Sequence, residues 1–236
     1  MRVRSGKRPA CGAVLKLRLP RADAPCGEPA DMSNQPSIKG SVFAGVVEDM
    51  NKLLTSGGIS KAELARRLPA EDILLLAETI RTASWYDIRA YTRMNELLRD
   101  VVGGGSNDYL KESGRQTARR LLAAGFYAQL EYVQRTEVRR TVGARARFEA
   151  FGRDLRKLTT MSASILNFSR WTSKPDPKRE GHYLIDVAEA KDFPEVLAWR
   201  SEGFVNEMAA QHGDPDLWTW QRVKPDQLVF RTLRPV

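Results

Sequence analysis

The apolar positions of this chain change their spacing about two thirds of the way along, and the change divides its predicted elements into two groups. From Ile38 onward Val42, Val46, Met50 and Leu53 recur every three or four residues up to Ser56-Gly57-Gly58, which predicts a helix with one apolar face. Ser60 with Glu63 three residues later is a capping-box pattern for a short second helix, KAELARRL, and Pro69 suits the first turn of a third, AEDILLLAETI. Asp87 then caps a helix that carries Ile88, Tyr91, Met94, Leu98 and Val101 on one side and ends at Gly103-Gly104-Gly105. Ser106 and Asn107 suit the cap of the next helix. Its stripe of Leu110, Gly114, Thr117, Ala118 and Leu121 mixes small and apolar groups, so another element can approach it closely. Phe148, Phe151, Leu155 and Leu158 continue the helical period, with Gly143 as a break ahead of them.

The period then becomes two. Ala163, Ile165 and Asn167 alternate with Leu166 and Phe168 up to Trp171, the string SKPDPKREG reads as a turn, and Tyr183, Ile185 and Val187 alternate again. Pro194 opens a helix with Leu197, Phe204 and Met208 on one side. Residues 217–223 and the string LVFRTL then form a hairpin about Lys224-Pro225-Asp226-Gln227. The order strand, strand, helix, strand, strand predicts an α+β fold, a helical N-terminal half packed on one face of a four-stranded antiparallel sheet.

Length and composition narrow the class. The 236 residues, 42% apolar and 28% charged, suffice for one sizeable core. No window approaches the roughly 18 uncharged apolar residues of a membrane span, which predicts a soluble protein. Residues 1–37 are rich in Pro, Gly, Ala and Arg without periodicity and read as a disordered leader. Lys16 and Arg18 interrupt its apolar piece, which a secretory signal does not tolerate, and Met32 is the expected start of translation. Residues 38–236 then form a single sensory or binding domain. Both cysteines, Cys11 and Cys26, fall in the leader, so the body has no thiol for a disulfide, a zinc site or a nucleophile, as suits the cytoplasm.

Several local strings resemble a known family. IKGSVF at 38–43, ASWYDIRAYTRMNELL at 83–98 and YLKESGRQTARRLL at 109–122 resemble a paralogous family of unknown function expanded in myxobacteria, itself similar to the haem–nitric-oxide-binding, four-vinyl-reductase (V4R) and Bet3-like superfamily. The resemblance spans about residues 38–234. It implies a helical half, a four-stranded sheet, a sensory or binding role in place of catalysis, and self-association as a homodimer. Haem-binding members need an axial histidine on a helix and a Tyr-x-Ser-x-Arg string. This chain has only His182 and His212, and Tyr132-Val133-Gln134-Arg135-Thr136 lacks that spacing, so no haem or other cofactor is expected. Both histidines read as surface or capping residues.

The residues themselves offer little catalytic chemistry. G-x-S-x-G, H-E-x-x-H, the P-loop and the dinucleotide fingerprint are missing from the sequence, and Gly103-Gly104-Gly105 follows a helix, not a strand, as a connector would. Glu71 and Asp72 fall in a first helical turn, where the dipole accounts for them. GISKAELARRL has the look of the first helix of a helix-turn-helix, but the apolar EDILLLAETI after it would be buried instead of reading DNA. Charge is more pointed. Residues 134–160 hold eight Lys/Arg against three Asp/Glu, and Arg135, Arg139, Arg140, Arg145, Arg147, Arg153, Arg156 and Lys157 form one basic zone. It reads either as a solvated helix face or as a surface for nucleic acid or an acidic partner. The expected function is a non-enzymatic cytoplasmic sensory or adaptor domain. It would hold a small apolar ligand or a partner protein in a helix–sheet crevice lined by Trp85, Tyr91 and Phe126, with no metal site.

Overall fold

A computed structural model of the chain describes residues 35–125, 143–211 and 213–236. Its helices are α1 (Gly40–Thr55), α2 (Lys61–Arg67), α3 (Ala70–Leu75), α4 (Ile88–Val101), α5 (Asn107–Ala123), α6 (Ala144–Ile165) and α7 (Glu195–Gln211). The strands are β1 (Ser37–Lys39), β2 (Trp85–Asp87), β3 (Arg170–Pro175), β4 (Tyr183–Ala188), β5 (Trp218–Lys224) and β6 (Gln227–Thr232). The last four make an antiparallel sheet in the order β3-β4-β6-β5. This is the expected α+β architecture, with most of the helices in the N-terminal half. Among the described residues, no helix is long and apolar enough to cross a membrane.

Three predicted N-caps form, while Pro69 stands at the N-cap of α3, one position ahead of its first turn. Ser60 Oγ accepts from the Glu63 amide, Asp87 Oδ1 from Arg89 and Ser106 Oγ from Asp108, each satisfying a first-turn N–H that the helix leaves without an internal partner. Two boundaries differ from expectation. The first sheet strand begins at Arg170, not Ala163, because α6 runs on to Ile165, and part of the supposed turn SKPDPKREG belongs to β3. The third helix stops at Leu75, and Asn51 Nδ2 donates to the Leu76 carbonyl just beyond it.

A small second sheet escaped the period-based reading. β1 and β2 pair antiparallel, Ile38 opposite Tyr86 and Lys39 opposite Trp85. Gly40 then enters α1 with its amide on the Ser84 carbonyl at 2.9 Å, and a Cβ there would overlap the Arg81 carbonyl. Phe43 stacks on Tyr86 with ring centroids 4.7 Å apart. IKGSVF and SWY therefore meet in space as two sides of one packed corner.

One core joins the helical half to the sheet. Phe43, Met50, Tyr91, Met94 and Leu98 from the helices share it with Phe151 and Leu155 of α6 and Ile185, Trp218 and Phe230 of the sheet. Burying each such side chain contributes about 1.5–3 kcal/mol before ordering costs, so this seam is the main source of stability.

Candidate functional site

α7 is the hub. It is buried around most of its circumference, and so it lacks the strong sidedness of α4, whose polar residues gather on one face. Gly114 of α5 lies against the Arg200 carbonyl and Gly203 of α7 against the Lys111 carbonyl; a Cβ at either position would overlap the opposing backbone. The small-residue stripe predicted for α5 is thus the contact that lets the two helices touch backbone to backbone.

The polar groups that α7 carries inside are matched, with one exception. Asn206 exchanges two hydrogen bonds with the Trp218 backbone, at 2.7 and 2.9 Å. Glu202 accepts from the Trp220 amide at 3.0 Å and lies 3.3 Å from Lys111 Nζ, while Glu207 meets Arg119 at 2.9 Å. Arg200 is the exception. Its side chain is 5% exposed, its Nη1 donates to Asn95 Oδ1 at 2.6 Å, and its guanidinium lies 5.8 Å from the Tyr91 ring centroid. Among the described residues no carboxylate lies within ion-pair distance of it. Asn95 is itself fixed by donating to the Tyr91 carbonyl at 2.7 Å.

The face of α5 turned away from α7 borders a groove of about 380 Å³ between α1, the end of α4 and α5. Leu53, Leu98 and Val102 supply an apolar floor, with Val102 53% exposed. Tyr109, Ser113 and Gln116 line one wall at i, i+4 and i+7 of α5, and among the described residues their side-chain polar groups have no hydrogen-bond partner. Asp49 and Lys52 face them from α1, 3.6 Å apart, and Glu112 beside them is held by Arg119 at 3.0 Å and Arg115 at 3.9 Å. Arg120 spans from α5 to Glu48 of α1 at 3.6 Å. Burial pushes the Tyr109 phenol above its ordinary pKa, the negative charge of Asp49 adds to this, and Arg200 opposes it.

A larger cleft, about 630 Å³, opens where α4 begins. It is lined by Gln35, Pro36, Asp87, Arg89, Thr92, Arg93 and residues of the loop before α7. Its arginines and Asp87 are already engaged, while Asp192 has no ion-pair partner among the described residues. Arg93 makes a two-pronged clamp on the buried Asp72 at 2.6 and 2.7 Å, and Asp87 takes Arg89 at 2.7 Å and Gln35 at 2.7 Å. Burial raises the Asp87 pKa, but the hydrogen bonds and charge of Arg89 outweigh it and hold the carboxyl below its ordinary value. Asp72, assigned from sequence to the helix dipole alone, is a buried structural anion.

The residues expected to line a ligand crevice are placed apart in role. Tyr91 is 1% exposed, packed between Phe43 and Arg200 in the core. Trp85 is half-buried on β2 beneath Lys39 Nζ, 3.9 Å from its ring centroid. Phe126 lies outside the described residues. Of the basic zone, Arg145, Arg153, Arg156 and Lys157 are exposed on α6, with Arg145 3.2 Å from Glu149 and Lys157 3.5 Å from Asp154. Arg135, Arg139, Arg140 and the side chain of Arg147 lie outside the described residues. His182 is not a surface residue: it is 8% exposed, with Nε2 2.8 Å from Arg179 and Nδ1 2.8 Å from the Glu180 carbonyl, and so both ring nitrogens are engaged. His212 lies outside the described residues. Among those residues no group of three His, Cys, Asp or Glu side chains is placed to hold a metal ion.

No family model and no curated protein matches the chain. Three solved structures of H-NOX proteins align with it. One, described as probing the function of heme distortion in the H-NOX family, is 14% identical with a TM-score of 0.48, over 84% of this chain and 97% of its own. A Cs H-NOX mutant carrying the unnatural amino acid 4-cyano-L-phenylalanine is 14% identical at 0.46, over 84% and 98%. A point mutant of T. Tengcongensis H-NOX is 13% identical at 0.46, over 84% and 100%. No residue role in this chain follows from likeness at that level.

The groove was invisible to sequence reasoning, although its parts were not. Leu53, Leu98 and the α5 cap were all predicted, but periodicity reports which side of a helix is apolar, not whether a neighbouring helix stands close enough to cover it.

Proposed function

We propose that this chain is a non-enzymatic sensory or adaptor domain of the cytoplasm, and that it holds a small ligand with an apolar body in the groove between α1 and α5. The observation that carries this reading is the row of Tyr109, Ser113 and Gln116, three neutral polar groups without hydrogen-bond partners among the described residues, above the floor of Leu53, Leu98 and Val102. Ligand pockets combine an apolar lining with a few convergent polar groups, and typical volumes begin at about 300 Å³. The larger cleft fits less well, because both of its guanidinium groups and Asp87 are tied up in ion pairs and its remaining carboxylate, Asp192, is exposed to water. The resemblance to a superfamily of ligand-binding domains agrees with the reading.

Fluorescence of the neutral probe N-phenyl-1-naphthylamine tests it. The expected result is saturable enhancement with the wild-type chain and loss of that enhancement in Gln116→Trp, whose indole fills the groove from an exposed position. Equal enhancement in both proteins would overturn the assignment of the site.

The exposed basic face of α6 supports a second reading, a surface for nucleic acid or an acidic protein partner. Retention on heparin that falls steeply with salt, and falls further in an Arg153→Glu/Arg156→Glu double variant, would favour it. Elution at low salt for both chains would remove it.

A further inference from the structure

Ser113 is 6% exposed, yet its hydroxyl has no hydrogen-bond partner among the described residues, and it lines the groove between α1 and α5. Helical serines and threonines commonly spend their hydroxyl on the carbonyl one turn back. Thr55, Thr92 and Thr117 do so here, at 2.9, 2.8 and 2.9 Å, and Ser113 does not. Buried side-chain polar groups are as a rule hydrogen-bonded, so what meets this hydroxyl is whatever occupies the groove.

Tyr109 and Gln116 stand one turn to either side of it. The three uncharged groups follow one line of α5, roughly 6 Å and 4.5 Å apart along the axis at 1.5 Å per residue. Each can both donate and accept. Burial, and after it the charge of Asp49, holds the Tyr109 phenol above its ordinary pKa, and so it keeps its proton. The charged residues of the groove are matched already. Lys52 lies 3.0 Å from Glu48 and 3.6 Å from Asp49, and Glu112 lies 3.0 Å from Arg119 and 3.9 Å from Arg115. An ion entering over Leu53, Leu98 and Val102 would give up hydration without gaining an unpaired counter-charge. A neutral head would exchange its bonds to water for bonds of the same kind.

We infer that the groove takes a neutral amphiphile, an apolar body whose head both donates and accepts hydrogen bonds, as a primary carboxamide does, with that head on Ser113 between Tyr109 and Gln116. This rests on the groove being the ligand site, as proposed above, and adds the class of head group. Ser113 is accordingly a specificity-determining residue, and ions built on the same body are discriminated against.

Three ligands that share one body test this by displacing N-phenyl-1-naphthylamine: 2-naphthamide, the 2-naphthoate anion and the 2-naphthylmethylammonium cation. The wild-type chain is expected to bind the amide about tenfold more tightly than either ion. Ser113→Ala should weaken the amide about fivefold, the scale of one net hydrogen bond, and narrow its lead over both ions. Gln116→Trp should exclude all three. Either ion binding the wild type as tightly as the amide would overturn the neutral head and leave the groove standing. A lead that Ser113→Ala leaves intact would overturn the placing of that head. An amide that binds Gln116→Trp as well as wild type, or a dye that does not bind at all, would remove the groove and the inference with it. Because the three-way comparison needs only the wild-type chain, the inference stays open to refutation even if a variant misfolds.

Discussion

The two sides of α5 are built on opposite plans. Toward α7 it presents Gly114 and Ala118, and the backbones meet with no room for a methyl group. Toward α1 it presents Tyr109, Ser113 and Gln116 across open space, tied over by the Arg120–Glu48 pair. One helix thus shows what close packing and polar openness each require of a sequence. The first needs missing side chains, the second needs side chains that nothing else in the fold uses.

That contrast can be broken first at its tight side. Gly203→Ala, and equally Gly114→Ala, should destabilise the protein by about 3 kcal/mol or prevent folding, because the added Cβ can be relieved only by moving a backbone. Urea denaturation checks this, and a change under about 1 kcal/mol would mean the helices are less firmly seated than described. Next comes Asn206→Ala, which strips the Trp218 amide and carbonyl of their partners and should cost about 2 kcal/mol. Acid probes the other end of α4. The Asp87 carboxyl has a folded pKa below its unfolded value, so its contribution is present above about pH 4 and is lost as pH falls through the folded pKa. Asp87→Asn should therefore lower the urea midpoint at pH 7 and lower it progressively less as the pH falls below about 4; an equal loss at every pH would contradict a charge-based role. The smallest effect belongs to the open side. Gln116→Ala should alter stability by no more than about 0.5 kcal/mol, since the amide is exposed and bonds to nothing described.

Much of this fold was legible because it rests on local chemistry. Ser60, Asp87 and Ser106 marked helix starts, and the alternation of Tyr183, Ile185 and Val187 marked β4. The strings IKGSVF, SWY and YLKESGRQTARRLL, which carry the family resemblance, each have a packing role: the first two build the β1–β2 corner, and the third places Gly114 at the helix crossing. What the sequence did not yield depends on distant partners. β1 and β2 are too short for a period to show. Asp72 looks like any first-turn acid until Arg93, 21 residues on, closes around it. Tyr91, placed from sequence in a crevice, instead fills the core, since the same ring suits either setting and only its neighbours decide. Arg200 carried no signal at all, because a lone arginine inside a mixed helix resembles a surface residue.

The glycine crossing has a mechanical consequence. Helices in backbone contact at two points cannot slide or roll independently, so α5 and α7 behave as one lever. Asn206 and Glu202 fasten that lever to Trp218 and Trp220 of the edge strand. Any tilt of α5 is therefore delivered to β5, at the border of the four-stranded sheet, without passing through a flexible joint.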